Sequence, residues 1–468
     1  MNCFSARLPR LAAAAGLLCF GLALSPAAKA EKTLVKTDSF EIFTTGRAGG
    51  FISWVYGDGR PPAQRAVGLD PNGQPTAPGL WNILGGELEA PESTEPSDDP
   101  QLAALGVQKQ GTVNMVRVRS GFVGNSFGFG VRVPVTESIK ATAFLEFWTF
   151  IESPNRNVGN PNYVDLKQGY AQVEGPFGTI LAGRGRGLFS RGATDINAKY
   201  GHGYAVGFPH ALDSNGPTRG MIGFGVMGTG WAGTVQYATP RLAGFQLTAG
   251  IMDPIINQAA RYTRTKLPRV EAELRYKLEF GNKGLVEPFV NGMFQNLYKE
   301  GNCDPNATPE PGICDTRAFG VGYGARFEYG PFRLGLAGHF GDGLGLSRAL
   351  EVSTASTDST DHLRSFDGYY AQSQVVLGNF DLFAGAGVVR IFLTDHDKKA
   401  RIPHPFQPGV TVPEYSLIKQ QFGVNAGVVY HWTESLHFAF DYFRAQLDWQ
   451  LGEQQVLHAT NLGMTLTW

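Results

Sequence analysis

Residues 167–220 contain the side chains of this chain that could do chemistry. Ser190, Asp195, His202 and His210 place a serine, an aspartate and two histidines in or near one polar stretch, and these are the residue types of a hydrolytic triad. Catalysis requires that the three side chains converge in space, which the spacing alone does not establish. A hydrolase is therefore kept as one hypothesis, to be judged by the elements that position these residues.

The segment in front of these residues predicts a β-hairpin. Lys167–Arg184 reads K-Q-G-Y-A-Q-V-E-G-P-F-G-T-I-L-A-G-R, with two extended runs around a tight turn at Gly175–Gly178. Pro176 presets its φ for the turn, and the glycines supply backbone conformations that a side chain would forbid. A long irregular stretch, residues 187–220, then leads to the next extended run.

The first thirty residues, Met1–Ala30, predict a secretory signal peptide. Arg7 and Arg10 precede an apolar run, Leu11–Leu24, and Ala28–Ala30 forms an A-x-A-like cleavage site. A membrane anchor helix is the rival interpretation, but the apolar run is too short to span a bilayer comfortably. We therefore expect residues 31–468 to form the exported protein.

Composition narrows the class of protein. Lys and Arg total 40 and Asp and Glu total 41, so the chain is nearly neutral and becomes acidic once the basic signal is removed, which argues against a nucleic-acid partner. Beyond the signal, no apolar segment is long enough for a helical span. Abundant glycine (61 residues) and phenylalanine (32) with many alternating runs predict an all-β protein. Export and aromatic richness together favour an outer-membrane barrel.

Alternation of apolar and charged residues supports membrane-spanning strands. In Pro268–Phe280 one parity carries Val270, Leu274 and Phe280, whereas the other carries arginine, glutamate and lysine. Several runs reach the roughly 9–11 residues that a bilayer-spanning strand needs, whereas ordinary strands average about 5–6. The alternation thus favours a transmembrane barrel over a soluble sandwich.

The runs between turn signals number about sixteen, which predicts a transmembrane antiparallel β-barrel with short periplasmic turns and long extracellular loops. We place the strands near 40–56, 112–134, 138–152, 163–174, 178–189, 220–238, 243–252, 268–280, 284–298, 316–329, 332–345, 364–377, 380–394, 415–432, 435–450 and 455–468. The 112–134 segment is too long for one regular strand, and its parity changes, so we expect a bulge near Gly124 and Asn125.

The hairpin resembles the signature of the Gram-negative general porins. The residues in register are Gln168, Tyr170, Gly175, Phe177, Gly178, Gly183 and Arg184. The resemblance implies that this hairpin is the fourth and fifth strands and that the following loop, about 187–220, folds into the channel as a constriction loop. It also implies a homotrimer.

In porins that this chain resembles, a basic cluster on the wall faces acidic residues on the inward-folded loop. Here the candidate basic residues are Arg47, Arg117, Arg119, Arg132, Arg184 and Arg186, and the candidate acids are Asp195 and Asp213. A lipid-facing arginine costs about 2–4 kcal/mol at mid-membrane, so these arginines should face the lumen or lie near the rims. Opposed charges would set up a transverse field across the passage.

Two further regions predict contacts with the envelope. Leu462, Met464, Leu466 and Trp468 share one face of the last strand and end the chain on an aromatic residue, like the C-terminal signal that the barrel assembly machinery recognises in porins. The long first extracellular loop, about 57–111, carries an acidic segment, Glu87–Asp99. That segment is either a solvated flexible loop or a site that bridges divalent cations to lipopolysaccharide of the outer-membrane lipid.

Three functions remain open from the sequence. The first is passive diffusion of small hydrophilic solutes and ions, because a sixteen-stranded barrel leaves an aqueous channel whose width and wall charge set selectivity. The second is a substrate-selective channel for phosphate, sugars or carboxylates, which a continuous file of arginines would distinguish. The third is an outer-membrane hydrolase. The first is favoured, and it predicts no enzymatic activity, no cofactor and no metal.

Cys303 and Cys314, in the loop before the tenth strand, predict a disulfide, because exported compartments oxidise thiols. Mass analysis of non-reduced peptides should show the two cysteines linked. The bridge closes a short loop and is worth roughly 3 kcal/mol at most. Two free thiols in protein extracted from the outer membrane would contradict this prediction.

Overall fold

The computed structural model of the chain describes residues 31–59, 111–149, 151, 164–208, 220–255, 265–281, 283–298, 315–350, 356–358, 360, 362–399, 401–403, 411–413, 418–450, 452 and 454–468. The predicted signal, most of the first long loop, His210, Asp213 and both cysteines of the predicted disulfide lie outside these residues. In the described part of the chain, no helix has the length and apolar character of a membrane span.

Strands dominate the described residues. They are β1 (Lys32–Lys36), β2 (Glu41–Asp58), β3 (Thr112–Arg119), β4 (Asn125–Pro134), β5 (Lys140–Thr149), β6 (Val164–Gly175), β7 (Gly178–Arg186), β8 (Trp231–Ala238), β9 (Phe245–Met252), β10 (Arg269–Tyr276), β11 (Leu278–Phe280), β12 (Gly284–Tyr298), β13 (Asp315–Tyr329), β14 (Phe332–Asp342), β15 (Ser365–Leu377), β16 (Phe380–Phe392), β17 (Arg401–Pro403), β18 (Thr411–Pro413), β19 (Ile418–His431), β20 (Leu436–Trp449) and β21 (Gln454–Thr467). The helices are α1 (Arg191–Lys199), α2 (Asp395–Lys399) and a 3-10 helix (His202–Tyr204).

The strands form a closed antiparallel barrel of sixteen strands, as the sequence predicted. Each barrel strand pairs with the next along the chain, and β21 closes the barrel on β2. β3 and β4 together form one strand of the barrel, because β3 pairs with the second half of β2 and β4 pairs with its first half. The interruption between them, residues 120–124, lies where the bulge was expected. Closure leaves every barrel strand paired on both sides, which lipid requires.

The strand faces follow the predicted alternation. On β10, Val270 and Leu274 are exposed on the outside, whereas Arg269, Glu271 and Glu273 are buried towards the lumen. The connections at one end of the barrel, the short-turn end, are all short, whereas those at the other, the long-loop end, are long except the one between β20 and β21. On β10, period two alone therefore separates the membrane-facing from the lumen-facing residues.

One predicted strand begins too early. The run near 220–238 is extended only from Trp231, and residues 220–230 belong to the preceding loop. Four glycines there, Gly220, Gly223, Gly225 and Gly230, have positive φ, which an extended strand does not allow. The loop after β7 thus covers residues 187–230 rather than 187–220.

β1 and Trp468 both contact β2 near the short-turn end. β1 pairs with the first residues of β2, and Trp468 exchanges two backbone hydrogen bonds with Gly46 just beyond them, at 2.8 and 3.0 Å. A side chain at Gly46 would collide with the indole ring of Trp468, so glycine allows this contact. Leu462, Met464 and Leu466 are exposed on the outer face, as expected.

Deleting Trp468 should weaken the closing strand pair. The deletion removes two hydrogen bonds and the indole contact, which together contribute on the order of 2 kcal/mol. Heat-modifiable mobility in gels of refolded protein should show less folded barrel at a given temperature. Trp432→Ala, at an exposed tryptophan of the same barrel end, is the matched control and should have little effect. Equal melting of the two variants would contradict a role for Trp468 in closure.

Candidate functional site

The described parts of the 187–230 loop, residues 187–208 and 220–230, fold into the barrel and cross the lumen. The two ends of the loop are adjacent, since the Gly187 N–H donates to Gly230 O at 3.2 Å. Between them, α1 packs against β13 and β14, which are several strands away from β7. Glycines permit this approach, because a side chain at Gly335 would collide with Ile196 and one at Gly192 would meet the Phe289 ring.

Side chains of the barrel wall accept hydrogen bonds from backbone N–H groups at the start of the loop. Glu271 Oε2 on β10 accepts from Leu188 and Phe189 at 2.6 and 2.9 Å. Asn291 Oδ1 on β12 accepts from Ser190 at 2.9 Å. Ser190 has φ 60° and no side-chain cap bond, so the wall satisfies the amide that precedes α1. Burial of these amides makes such acceptors necessary.

A second set of contacts holds the loop at the other side of the lumen. Asp441 Oδ2 on β20 accepts from Val206 N–H at 2.6 Å and from Gly207 N–H at 3.0 Å. Asn461 on β21 donates to Gly207 O at 3.1 Å. Arg47 on β2 donates to Gly203 O at 2.6 Å. The loop is therefore fixed at β10 and β12 and again at β20, β21 and β2.

The later part of the loop packs through apolar contacts. The Phe224 ring lies 5.0 Å from Phe443 on β20 and 5.4 Å from Phe208, centroid to centroid. A side chain at Gly423 would collide with both phenylalanine rings, Phe224 and Phe443. These residues belong to a buried cluster of loop and wall side chains. Part of the lumen is therefore packed like a protein core and holds the loop in place.

Ion pairs surround α1 on the wall side. Asp195 lies between two arginines, with Arg186 Nη1 and Arg275 Nη2 each 2.7 Å from a carboxylate oxygen. Burial favours the neutral acid, but the two guanidinium groups outweigh it and hold the pKa of Asp195 well below its usual range. The two arginines therefore favour the ionised form of Asp195.

The pairs continue along the inner wall of β10, β12 and β13. Arg191 Nε donates to Glu273 at 2.7 Å, and Arg275 Nε donates to the same carboxylate at 2.7 Å. Arg326 Nε donates to Glu287 at 2.7 Å. We call these five residues, together with Arg186, Asp195, Lys199, Glu328 and Arg333, the ion-pair wall; Arg333 Nε lies 3.9 Å from Glu328 Oε2.

Lys199 extends this wall from the end of α1. Its Nζ lies 2.9 Å from Glu328 Oε1, and the Tyr200 hydroxyl donates to the same oxygen at 2.8 Å. Burial lowers the pKa of Lys199, although Glu328 opposes the shift. Burial and the Glu328 charge raise the pKa of Tyr200, which stays a neutral donor.

Along most of the ion-pair wall, the base faces water more than the acid does. The side chains of Glu273 and Glu287 are 0% and 5% exposed, whereas those of Arg275 and Arg326 are 17% and 21% exposed. Lys199 is 41% exposed against 18% for Glu328. The exception is Asp195, at 24% against 3% for Arg186. The water-facing layer of the wall is therefore mainly cationic.

Most of the predicted site residues lie on the lumen side, but not in one cluster. Arg186 and Asp195 meet, and Arg47 holds the loop from another wall. Arg117 and Arg119 are buried on the inward face of β3. Arg132 lies at the short-turn end, where it pairs with Glu31 and Glu41 at 3.1 and 3.0 Å, so it lines the mouth rather than the narrow part.

The expectation that Arg184 lines the constriction is wrong. Arg184 shares its strand face with Ile180 and Ala182, which are exposed on the outside. Its cross-strand partners, Gly169 and Gly233, flank it on the same outer face. Arg186 has the same parity but ends β7, where it is buried and pairs with Asp195 of the loop.

The residues of the hydrolase hypothesis do not converge where the structure describes them. His202 is buried, and its Nδ1 lies 3.0 Å from Asn197 Oδ1. Burial lowers the pKa of His202 to about 3. The Ser190 backbone N–H donates a hydrogen bond to Asn291, and the Asp195 carboxylate forms ion pairs with two arginines. Within the described ranges, no group of His, Cys, Asp and Glu is placed to hold a metal ion.

Sequence reasoning missed the acids and arginines of β10, β12 and β13. The alternation of Arg269, Glu271, Glu273 and Arg275 was visible and marked them as lumen-facing. What the sequence lacked was a signal that these strands, and not only the first five, meet the loop.

Comparison with known proteins agrees with this geometry. Residues 102–455 match the sequence family described as Gram-negative porin. The outer membrane channel DcaP of Acinetobacter baumannii is similar, with TM-score 0.60 and 11% identity over 93% of this chain and 100% of that chain. The anion-selective porin from Comamonas acidovorans has TM-score 0.53 and 11% identity over 92% and 100%. No curated protein sequence matches the chain. These structural likenesses show a shared fold.

Replacing Asp441 by Ala should free one side of the loop. Each buried N–H that loses its acceptor costs about 1–3 kcal/mol. Hydrogen–deuterium exchange should therefore become at least about tenfold faster at Val206 and Gly207 and change little at Leu188 and Phe189. Glu271→Ala should give the opposite pattern. Exchange that speeds up equally at both places in both variants would contradict two separate anchors.

Proposed function

Because this chain belongs to the Gram-negative porin family and forms an outer-membrane channel for passive diffusion, we propose that the channel favours small hydrophilic anions. The long-loop end is then extracellular and the short-turn end periplasmic. The loop, α1 and the ion-pair wall form the constriction. Solutes pass through the part of the lumen that the loop leaves open, past the water-facing charges of the ion-pair wall, with no chemical step.

The observation that carries this proposal is the burial of the acids behind the bases. Glu273 and Glu287 have side chains at most 5% exposed, whereas Arg275 and Arg326 extend into the lumen. In a narrow passage with low-dielectric walls, the charges nearest the water dominate the potential that a passing ion meets. Anions should therefore be enriched at the constriction relative to cations.

Two groups of arginines support a general channel over a substrate-selective one. Arg47, Arg117 and Arg119 lie on β2 and β3, whereas Arg186, Arg275 and Arg326 lie on β7, β10 and β13. These described arginines stand on different walls rather than in one continuous file. The similar protein from Comamonas acidovorans is an anion-selective porin, and a general anion preference is compatible with this fold.

Export, oligomeric state and barrel assembly form the rest of the proposal. We infer that residues 1–30 are removed on export and that the barrel assembles as a homotrimer. The outward residues Leu462, Met464 and Leu466 would present the assembly signal. The family and fold favour a channel over an enzyme.

Neutralising Arg326 should reduce the anion preference. In planar bilayers with a salt gradient, Arg326→Gln should shift the reversal potential towards cations, because Glu287 is left without its nearest counter-charge. Asp195→Asn should shift it towards anions. Arg184→Gln is the matched control, since this arginine lies on the outer face, and it should leave the reversal potential unchanged. A cation-selective wild type, or equal shifts for Arg326→Gln and Arg184→Gln, would contradict the proposal.

A further inference from the structure

A second segment of the chain folds into the barrel beside the 187–230 loop. It covers residues 343–350, which begin the connection from β14 to β15, and we call it the inner segment. Every residue of the inner segment except Arg348 is buried. Leu344 and Leu346 are fully enclosed and belong to the same buried cluster as the loop side chain Phe224. The inner segment is therefore part of the packed contents of the lumen.

Contacts with the wall place the inner segment on the lumen side. A Cβ at Gly320, on the inward face of β13, would lie 3.1 Å from Leu344 and would collide with Phe189 of the loop. The Gly343 N–H donates to Arg364 O at 2.9 Å, just before β15. Because the connection from β14 to β15 lies at the long-loop end, the inner segment enters the lumen from that end.

The inner segment holds the 187–230 loop where the loop meets the ion-pair wall. Gly228 donates its N–H to Ser347 O at 2.7 Å, and Gly228 and Arg348 form an isolated β-bridge. One residue later, Thr229 Oγ1 accepts from Arg186 Nε at 3.1 Å. Arg348 therefore lies beside the ion-pair wall, on the side of the long-loop end.

The backbone around Arg348 is held by its own hydrogen bonds. Leu344 and Ala349 form an antiparallel bridge, and the Gly345 N–H donates to Arg348 O at 3.0 Å. This tight hairpin is buried on all sides except at Arg348. The charge of Arg348 consequently has a defined place above the constriction, whereas a charge on a mobile loop would be averaged over a larger volume.

Arg348 differs from the arginines of the ion-pair wall because, among the residues that the structure describes, it has no acidic partner. Its side chain is exposed, and its stem lies against the loop, since a Cβ at Gly228 would lie 3.6 Å from Arg348 Cγ. Arg326, by contrast, is paired with Glu287. Opposite charges in a pair cancel partly at a distance, so an unpaired cation acts more strongly on a passing ion.

We propose that Arg348 is a further specificity-determining residue of the channel, which draws small anions from the extracellular side into the passage beside the ion-pair wall. The inner segment is the positioning element, because its burial fixes where this charge stands. This role rests on the proposed route of solutes past the ion-pair wall, and it holds for either overall ion preference of the channel.

The test uses the full exported chain in planar bilayers with a salt gradient near 0.1 M, where the Debye length is about 10 Å. Arg348→Gln keeps the aliphatic stem and removes the charge. It should lower the ratio of anion to cation permeability by about twofold or more, because the local anion concentration falls. Arg348→Glu should lower the ratio further. Arg348→Lys should stay close to wild type, which a role in packing alone does not predict.

Arg317→Gln is the matched control. Arg317 is an exposed arginine on the outward face of β13, near the same barrel end, so its neutralisation should leave the reversal potential unchanged. In about 1 M salt the Debye length falls to about 3 Å, and the shift caused by Arg348→Gln should shrink. Heat-modifiable mobility shows that each variant is folded before its selectivity is measured.

Two results would overturn the proposal. One is an equal reversal potential for Arg348→Gln and Arg317→Gln, and the other is a shift with Arg348→Lys as large as that with Arg348→Gln. A cation-selective wild type that Arg348→Gln makes still more cation-selective would contradict the proposed anion preference and support the role of Arg348. Failure of this role is therefore distinguishable from failure of the proposed selectivity.

Discussion

The organisation of this channel depends on a rule about backbone amides: an N–H group that is removed from water must find an acceptor. Residues 187–230 enter a lumen whose walls supply those acceptors. Glu271 accepts hydrogen bonds from two backbone amides at the start of the loop, and Asp441 accepts hydrogen bonds from two at the far side. With both carboxylates in place, the loop has one position across the barrel, and the width of the passage follows from it.

The same fixed position explains the electrostatics. Once the loop is held, α1 brings Asp195 between Arg186 and Arg275 and sets Lys199 beside Glu328. Inward carboxylates on β10 and β12 are shielded by the arginines in front of them. The electrostatic potential in the passage therefore depends on which partner of each ion pair is buried. Counting the charged residues along the chain does not reveal this.

Much of the fold was predictable because period two is a local property. The strand count, the lipid-facing residues of β10 and the break between β3 and β4 all follow from alternation within short segments. Two features of the structure do not follow from local alternation. Positive φ at Gly220–Gly230 cannot be distinguished by composition from extended glycine, so the loop was made too short. The motif fixed the end of β7 without its parity, so Arg184 was placed in the lumen. The contacts between inward carboxylates and the loop join residues that are far apart in the sequence. No local pattern encodes such contacts.

The anchored loop, rather than the barrel alone, sets the conductance and ion preference of the channel. Since Gly187 and Gly230 are joined by a hydrogen bond of 3.2 Å, residues 188–229 can be replaced by a two-residue Asn-Gly turn that suits the direct pairing of β7 and β8. Single-channel conductance of this variant in planar bilayers is the direct measurement. We expect a folded barrel with severalfold larger conductance and little ion preference. Conductance and selectivity equal to those of the intact protein would contradict it.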